Sequence, residues 1–500
     1  MPWRTTTSLC GCIIMSGPFG STTWMSNPST EFFGHEITNS CRFNDNDSAY
    51  LNITPSSAGN VDTWTFSALV KVANTVNGPQ GIFYASTGID TNSNSTVIYF
   101  NDGGILKIRQ VNSDSQTVSV ASNAVFRDPS AWYHIVVACD TTQGTDTNRI
   151  KLYVNGVQIT SLSSTTYPSQ NADTFINSAN IHVIGKYPAS GNYYWDGYMA
   201  EVNLIDGLQL TPSSFGEFKN DIWIPKDTSG LTFGDEGFRL EFKQSGVGTA
   251  GTSTIGADTS GNTNHLTSSG LAVNDQVPDS PTNNFSTLNP LMNDPSYLVT
   301  LSEGNLHAAQ TNKYFSGCSS FVMSKAIGGK WYFEASSITD GNFPIISVVQ
   351  LVTTTSPTLA NGAGLAPQRY AYHGYDGARR SPSNSGVGTL DGSGSYRSES
   401  GWGSTFNQDI MSVALDMDNM KVWFAKNGTY QGSGDPAGDA NSAFSSLDDE
   451  DYVFWLEDGA GADNRDSTWI ANFGQDSSFA GTETAQGNAD ANGIGDFYYA

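Results

Sequence analysis

The sequence predicts an all-β protein in which two sandwiches are joined by an irregular connector. Short runs rich in β-branched and aromatic residues alternate apolar and polar side chains with period two, and clusters of Asp, Asn, Gly, Ser and Thr separate them. Asn-Gly pairs, which accept the left-handed backbone of a type I′ turn, stand between such runs at Asn155-Gly156 and Asn427-Gly428. No stretch carries the 3.6-residue period of an amphipathic helix.

Composition narrows the function classes. Apolar residues make up 38% of the 500, and 52 glycines add to them, enough for cores in two or three domains. Only 23 Lys and Arg face 48 Asp and Glu, a formal charge of −25. Such a surface repels phosphate backbones and anionic lipid, so neither nucleic-acid binding nor membrane insertion is expected. The apolar run at residues 9–15 is too short to cross a bilayer or to serve as a signal core. The five cysteines lack zinc-site or disulfide-framework spacing, and Cys139, in phase with Ile135 and Val137, reads as a buried thiol.

In chain order, residues 1–34 read as an extended arm and 35–220 as the first sandwich. Strands are expected at residues 40–44 and 49–53, then at Thr63–Val72, which places Trp64, Phe66, Ala68, Val70 and Val72 on one face. More follow at residues 81–85, 96–101, 105–111, 117–121, 182–185 and 197–204. The clearest signal is residues 132–159. With Asn155 and Gly156 central in the turn, Val154 pairs with Val157 and Leu152 with Ile159. Ile150, Leu152, Val154, Val157 and Ile159 then share the core face, and Lys151, Tyr153 and Gln158 point away. Residues 221–297, with a turn signal at 258–262 and prolines at 278, 281, 290 and 295, read as connector and linker. Residues 298–480 form the second sandwich, with strands at 329–335 and a hairpin over 410–428, and residues 481–500 form a tail.

The ordered blocks SCRFNDNDSAYL, TWTFSALVKV, FRDPSAWYHIVVACDTT, IKLYVNGVQI and WDGYMAEVNLIDGLQLTPSSFGEF resemble the laminin-G-like, concanavalin A-like jelly roll of bacteriophage virion proteins. The 329–335 strand, the 410–428 hairpin and WIANFGQ at 469–475 resemble a SPRY domain, itself a concanavalin A-like sandwich. The resemblance implies two jelly rolls whose loop edge binds glycans or calcium. It also implies a virion-surface structural or adhesion subunit, such as a tail fibre, spike or capsid decoration, acting in host attachment. The partners it implies are host-surface glycans, other virion proteins and further copies of the chain.

Sugar rings stack on aromatic faces while their hydroxyls need polar partners, so clusters combining both are the candidate ligand residues. One is Tyr193, Tyr194, Trp195 and Asp196, although core packing is the stronger reading of Trp195. The other is Tyr372, Tyr375, Asp376 and Arg379, with Trp402 nearby. Calcium is the cofactor that loop carboxylates and carbonyls suit, with Asn101, Asp102 and Asp146 as candidate ligands. Catalysis is not expected. A glycosidase needs two carboxylates facing one cleft, whereas Glu201, Asp416 and Asp418 show no matched pairing. The six histidines are scattered without a nucleophile motif, and His134, inside a strand, reads as a satisfied sheet residue. A glycan-degrading hydrolase of the same fold and a cellular surface adhesin are the competing functions.

Overall fold

The computed structural model describes residues 32–73, 78–189, 191, 193–292, 299–310, 315–338, 344–350, 369–382, 389–390, 396–458, 467–490 and 493–499. The expected arm falls almost wholly outside them, as does most of the 353–369 loop. Within them the chain is nearly all β, in two pairs of antiparallel sheets.

The first sheet of the first sandwich runs Val157–Gln158, Ile150–Val154, Trp132–Asp140, Thr63–Val72, Gly197–Asp206, Ser40–Phe43 and Gln276–Val277. The second runs Leu162–Thr166, Ser115–Val125, Ile105–Asn112, Ser95–Asn101, Gln80–Ser86, Ile181–Ile184, Tyr50–Ile53 and Thr267–Ser269. Trp64, Phe66, Ala68, Val70 and Val72 all enter the shared core as the alternation predicts, and Phe66 stacks on Phe83 of the facing sheet at 4.7 Å. The 132–159 hairpin keeps its predicted register, Val154 opposite Val157, with Ile159 donating its N–H to Leu152. Asn155 and Gly156 take φ of 51° and 78°, the left-handed pair that a type I′ turn requires. The predicted face holds only part-way: Ile150, Leu152 and Val154 are core, but Val157, on a two-residue edge strand, is 60% exposed.

Two expectations change. The outer face of the first sheet is not solvent-facing, because Tyr153, Val136 and Ala138 pack under Phe215 and Phe233. Lys71, also on that face, is buried and bonds Asp279 (2.8 Å), Asn284 (2.9 Å) and the Phe285 carbonyl (2.7 Å). The 221–297 stretch is likewise more than a connector. Its strand Phe238–Leu240 pairs with Gly197–Asp206, Thr267–Ser269 extends the second sheet, and Gln276–Val277 extends the first. The first sandwich therefore needs it. Residues 237–242 read as strand-like in sequence, but the other two strands, of three and two residues in a Pro- and Asn-rich context, are too short to show a period.

The second sandwich pairs a sheet ordered Thr300–Ser302, His307–Gln310, Ser467–Asn472, Lys330–Ser337, Ile410–Asp416, Lys421–Lys426 and Thr429–Tyr430 with another containing Phe315–Cys318, Tyr452–Asp458, Pro344–Gln350, Arg369–His373 and Arg379–Pro382. Phe333, Phe454 and Phe473 stack at its centre. Asn427-Gly428 repeats the left-handed turn, at φ 46° and 74°.

Candidate functional site

On the outer face of the second sheet Lys107, Arg109 and Ser164 are half-buried and Thr166 is exposed, while Tyr84, Val97, Tyr99, Ser119 and Ala121 are buried. Alternation builds this face: Phe83, Ile98, Phe100, Leu106, Ile108, Val118 and Val120 point into the core, so their neighbours point out. Strand register then lines up two rows across the outer face. One runs Tyr84, Val97, Arg109, Ser119 and Thr166. The other runs Tyr99, Lys107, Ala121 and Ser164.

A loop hairpin, tied by the Tyr187 N–H to the Tyr193 carbonyl (2.9 Å), folds over one side of this face as an aromatic wall. Tyr187 packs edge-on against Tyr99 (4.9 Å between ring centres), and Tyr193 against Tyr187 (6.2 Å). Tyr50 and Tyr194 stack at 6.3 Å, with the Lys186 ammonium 4.9 Å from the Tyr194 ring centre. Burial alone would lower the Lys186 pKa, but its bonds to Asp90 (2.7 Å) and Tyr194 raise it instead. Arg109 donates Nη1 to Tyr187 Oη (3.1 Å) and Asn92 (2.7 Å), and Nε to Gln116 (3.0 Å). Tyr99 and Tyr187 are buried within this packing, so the accessible groups are the half-buried Tyr193, Tyr194, Lys107 and Arg109, able to contact a sugar ring and its hydroxyls.

The second sandwich has a smaller cluster. The Arg379 guanidinium lies 5.3 Å from the Trp402 ring centre and pairs with Glu399 (2.7 Å), while Trp402 packs edge-on against Tyr372 (5.5 Å).

The profile of the concanavalin A-like lectin/glucanases superfamily (Laminin_G_3) matches residues 44–213, the span that carries most strands of both sheets and the tyrosine wall. The first sandwich is a concanavalin A-like domain. No curated protein matches the chain. Similar solved structures include a SAP-like pentraxin from Limulus polyphemus (19% identity, 36% of this chain and 80% of that one, TM-score 0.25). The SPRY domain of human HERC1 is another (12%, 37% and 96%, 0.27). A third is domain 4 of the extracellular arabinanase AbnA from Geobacillus stearothermophilus in complex with arabinotriose (17%, 31% and 65%, 0.22).

Within the concanavalin A-like domain the 193–196 cluster divides. Tyr193 and Tyr194 are half-buried on the aromatic wall. Trp195 is fully buried, stacked on Phe100 at 5.9 Å, and is a core residue. Asp196 is 1% exposed, and burial, then the charges of Asp45 and Glu303, raise its pKa well above the usual carboxylate range. Neither Trp195 nor Asp196 is placed to touch a ligand, because both side chains are buried. In the second cluster Tyr372 is buried and donates to the Ser404 carbonyl, Tyr375 is 65% exposed, and Asp376 pairs with Arg380 (3.2 Å). Arg379 and Trp402 meet as expected.

The candidate calcium ligands do not converge. Asn101 and Asp102 share the turn before strand Ile105–Asn112, while Asp146 opens a separate 3-10 turn. Among the described residues no three His, Cys, Asp or Glu side chains are grouped so as to hold a metal ion. Glu201 is a paired residue, 3.3 Å from Arg239, and Asp416 accepts the Asp418 and Asn419 N–H groups. His134 is the satisfied sheet histidine expected. It receives the Trp223 Nε1–H at Nδ1 (2.8 Å) and lies 2.8 Å from the Ser67 hydroxyl through Nε2.

Sequence reasoning missed Lys107, Arg109 and Tyr187. The alternation Leu106-Lys107-Ile108-Arg109 carried the signal for the two cations; nothing local marked Tyr187 as a wall.

Proposed function

We propose that the chain is a non-enzymatic surface protein that binds glycans through the outer face of its concanavalin A-like domain. The observation that carries this is that the half-buried Tyr193 and Tyr194 stand over the same outer face as the half-buried Lys107 and Arg109. The ordered sequence blocks support a finer reading, in which the protein is a virion-surface subunit such as a fibre, spike or capsid decoration. It then sits on the virion surface, associates with other virion proteins and further copies of itself, and meets host envelope glycans. Shallow sites of this kind are individually weak, and repetition on a particle multiplies their effect.

A glycan array probed with the full chain tests the reading. Signal that falls at least about tenfold in Tyr193→Ala, with an unchanged melting temperature, is the expected result. Absence of signal on every glycan would remove the proposal, and shortening of a bound polysaccharide on incubation would favour a hydrolase. Labelling of purified phage particles by antibody against the chain tests the virion assignment.

A further inference from the structure

Lys107 and Arg109 stand out in a chain of formal charge −25. They are two residues apart on strand Ile105–Asn112, so their side chains leave the same face with Cα atoms about 6–7 Å apart. Lys186, beside this face, is paired with Asp90 (2.7 Å), and Lys71, behind the core, with Asp279 (2.8 Å). Arg109 has only neutral partners, namely Gln116, Asn92 and Tyr187. Its Nη2 has no partner among the described residues, and Lys107 has none at all there. Burial, then the charge of Arg109, lowers the Lys107 pKa, and no carboxylate opposes them. Two like charges side by side without an anion cost free energy. The three bonds to Arg109 nevertheless hold its guanidinium in place and leave Nη2 unused among the described residues.

The neighbours shape the space above the pair. On one side lie the half-buried Ser164 and the exposed Thr166, over the buried Ser119 and Ala121; on the other Tyr99 and Tyr187 are buried and Tyr193 is half-buried. A sugar ring that meets the accessible Ser164, Thr166 or Tyr193 can bring a substituent to both cations. We infer that the face selects acidic saccharides, with a ring carboxylate held between Lys107 Nζ and Arg109 Nη2. This rests on the glycan-binding reading and names its ligand class. Carboxylates suit the site because a guanidinium N–H and an ammonium can each take one of the two oxygens, and such charge-assisted bonds are the stronger kind.

The test is an array on which each acidic glycan is printed beside its carboxyl-reduced counterpart, the same sugar with the charge removed. Wild-type protein is expected to bind acidic members at least about tenfold more strongly than their reduced forms, and to lose that preference as salt rises. Lys107→Gln and Arg109→Gln are expected to abolish the preference while keeping the wild-type melting temperature, and Lys107→Arg to restore it. Equal binding to acidic and reduced partners would overturn the inference and leave glycan binding intact. Preference for sulfated glycans over carboxylated ones would overturn the carboxylate assignment. No signal on any glycan would overturn the underlying reading itself.

Discussion

His134 shows how much one side chain can hold. It is fully enclosed beneath Trp223 and Phe215, accepts the indole N–H at Nδ1, and therefore carries its own proton on Nε2, facing Ser67. Removing it strands two buried polar groups and leaves a void. His134→Ala is expected to lower stability by about 2–4 kcal/mol in a urea titration. Burial pushes its pKa down to about 3 from an ordinary 6.5. Between those values the unfolded chain binds a proton that the folded chain refuses, so this contribution is complete above pH 6.5 and is lost as pH falls toward 3. The stability difference between wild type and His134→Gln should shrink over that window; a constant difference would show that His134 does not stay neutral. The residue's role was legible because a histidine inside an alternating strand is usually satisfied. Its partner was not, since Trp223 lies 89 positions away. Lys107 and Arg109 were legible as outward-facing, but their lack of a carboxylate is a property of folded neighbours and leaves no trace in a local pattern.

Among elements, the two Asn-Gly hairpins were readable because turn chemistry and period-two alternation impose the same register. The edge Val157 departed from the pattern because a two-residue strand has little sheet over it to be buried against. The 221–297 stretch was misread for the complementary reason: its pairing is wholly non-local. Phe238, Leu240, Phe242 and Leu266 are nevertheless core residues of the first sandwich, each at most 1% exposed. Within a true linker Leu240→Ala would change stability by no more than about 0.5 kcal/mol. Here it is expected to cost about 2–5 kcal/mol, visible by calorimetry as a lowered transition of the first sandwich.

At the scale of the whole molecule, the two sandwiches share a buried charge cluster. Arg42, on the first strand of the first sandwich, is fully buried and lies 2.8 Å from Asp476, 3.2 Å from Asp275 and 3.3 Å from Glu303. Tyr198 Oη donates to the Gly304 carbonyl (2.9 Å) and Asn305 Nδ2 to the Ala73 carbonyl (2.9 Å), adding two neutral hydrogen bonds across the joint. One cation among three acids makes the balance asymmetric. Arg42→Leu would leave the buried Asp275 and Asp476 and the half-buried Glu303 without a cation, at a cost of about 3–5 kcal/mol. Glu303 responds to pH. Burial raises its pKa, Arg42 opposes this, and Asp275, Asp47 and Asp476 add to the rise, leaving it at about 7 against an ordinary 4.5. Between pH 4.5 and 7 the folded chain keeps a proton that the unfolded chain releases. Its contribution is therefore complete below pH 4.5 and disappears as pH rises through 7. Glu303→Gln, which keeps the shape and cannot ionise, is expected to match wild type at low pH and to become the more stable of the two by pH 8, as read from paired melting curves. Curves that stay parallel from pH 4.5 to 8 would mean that Glu303 is ionised throughout and that Arg42 balances the joint without a bound proton.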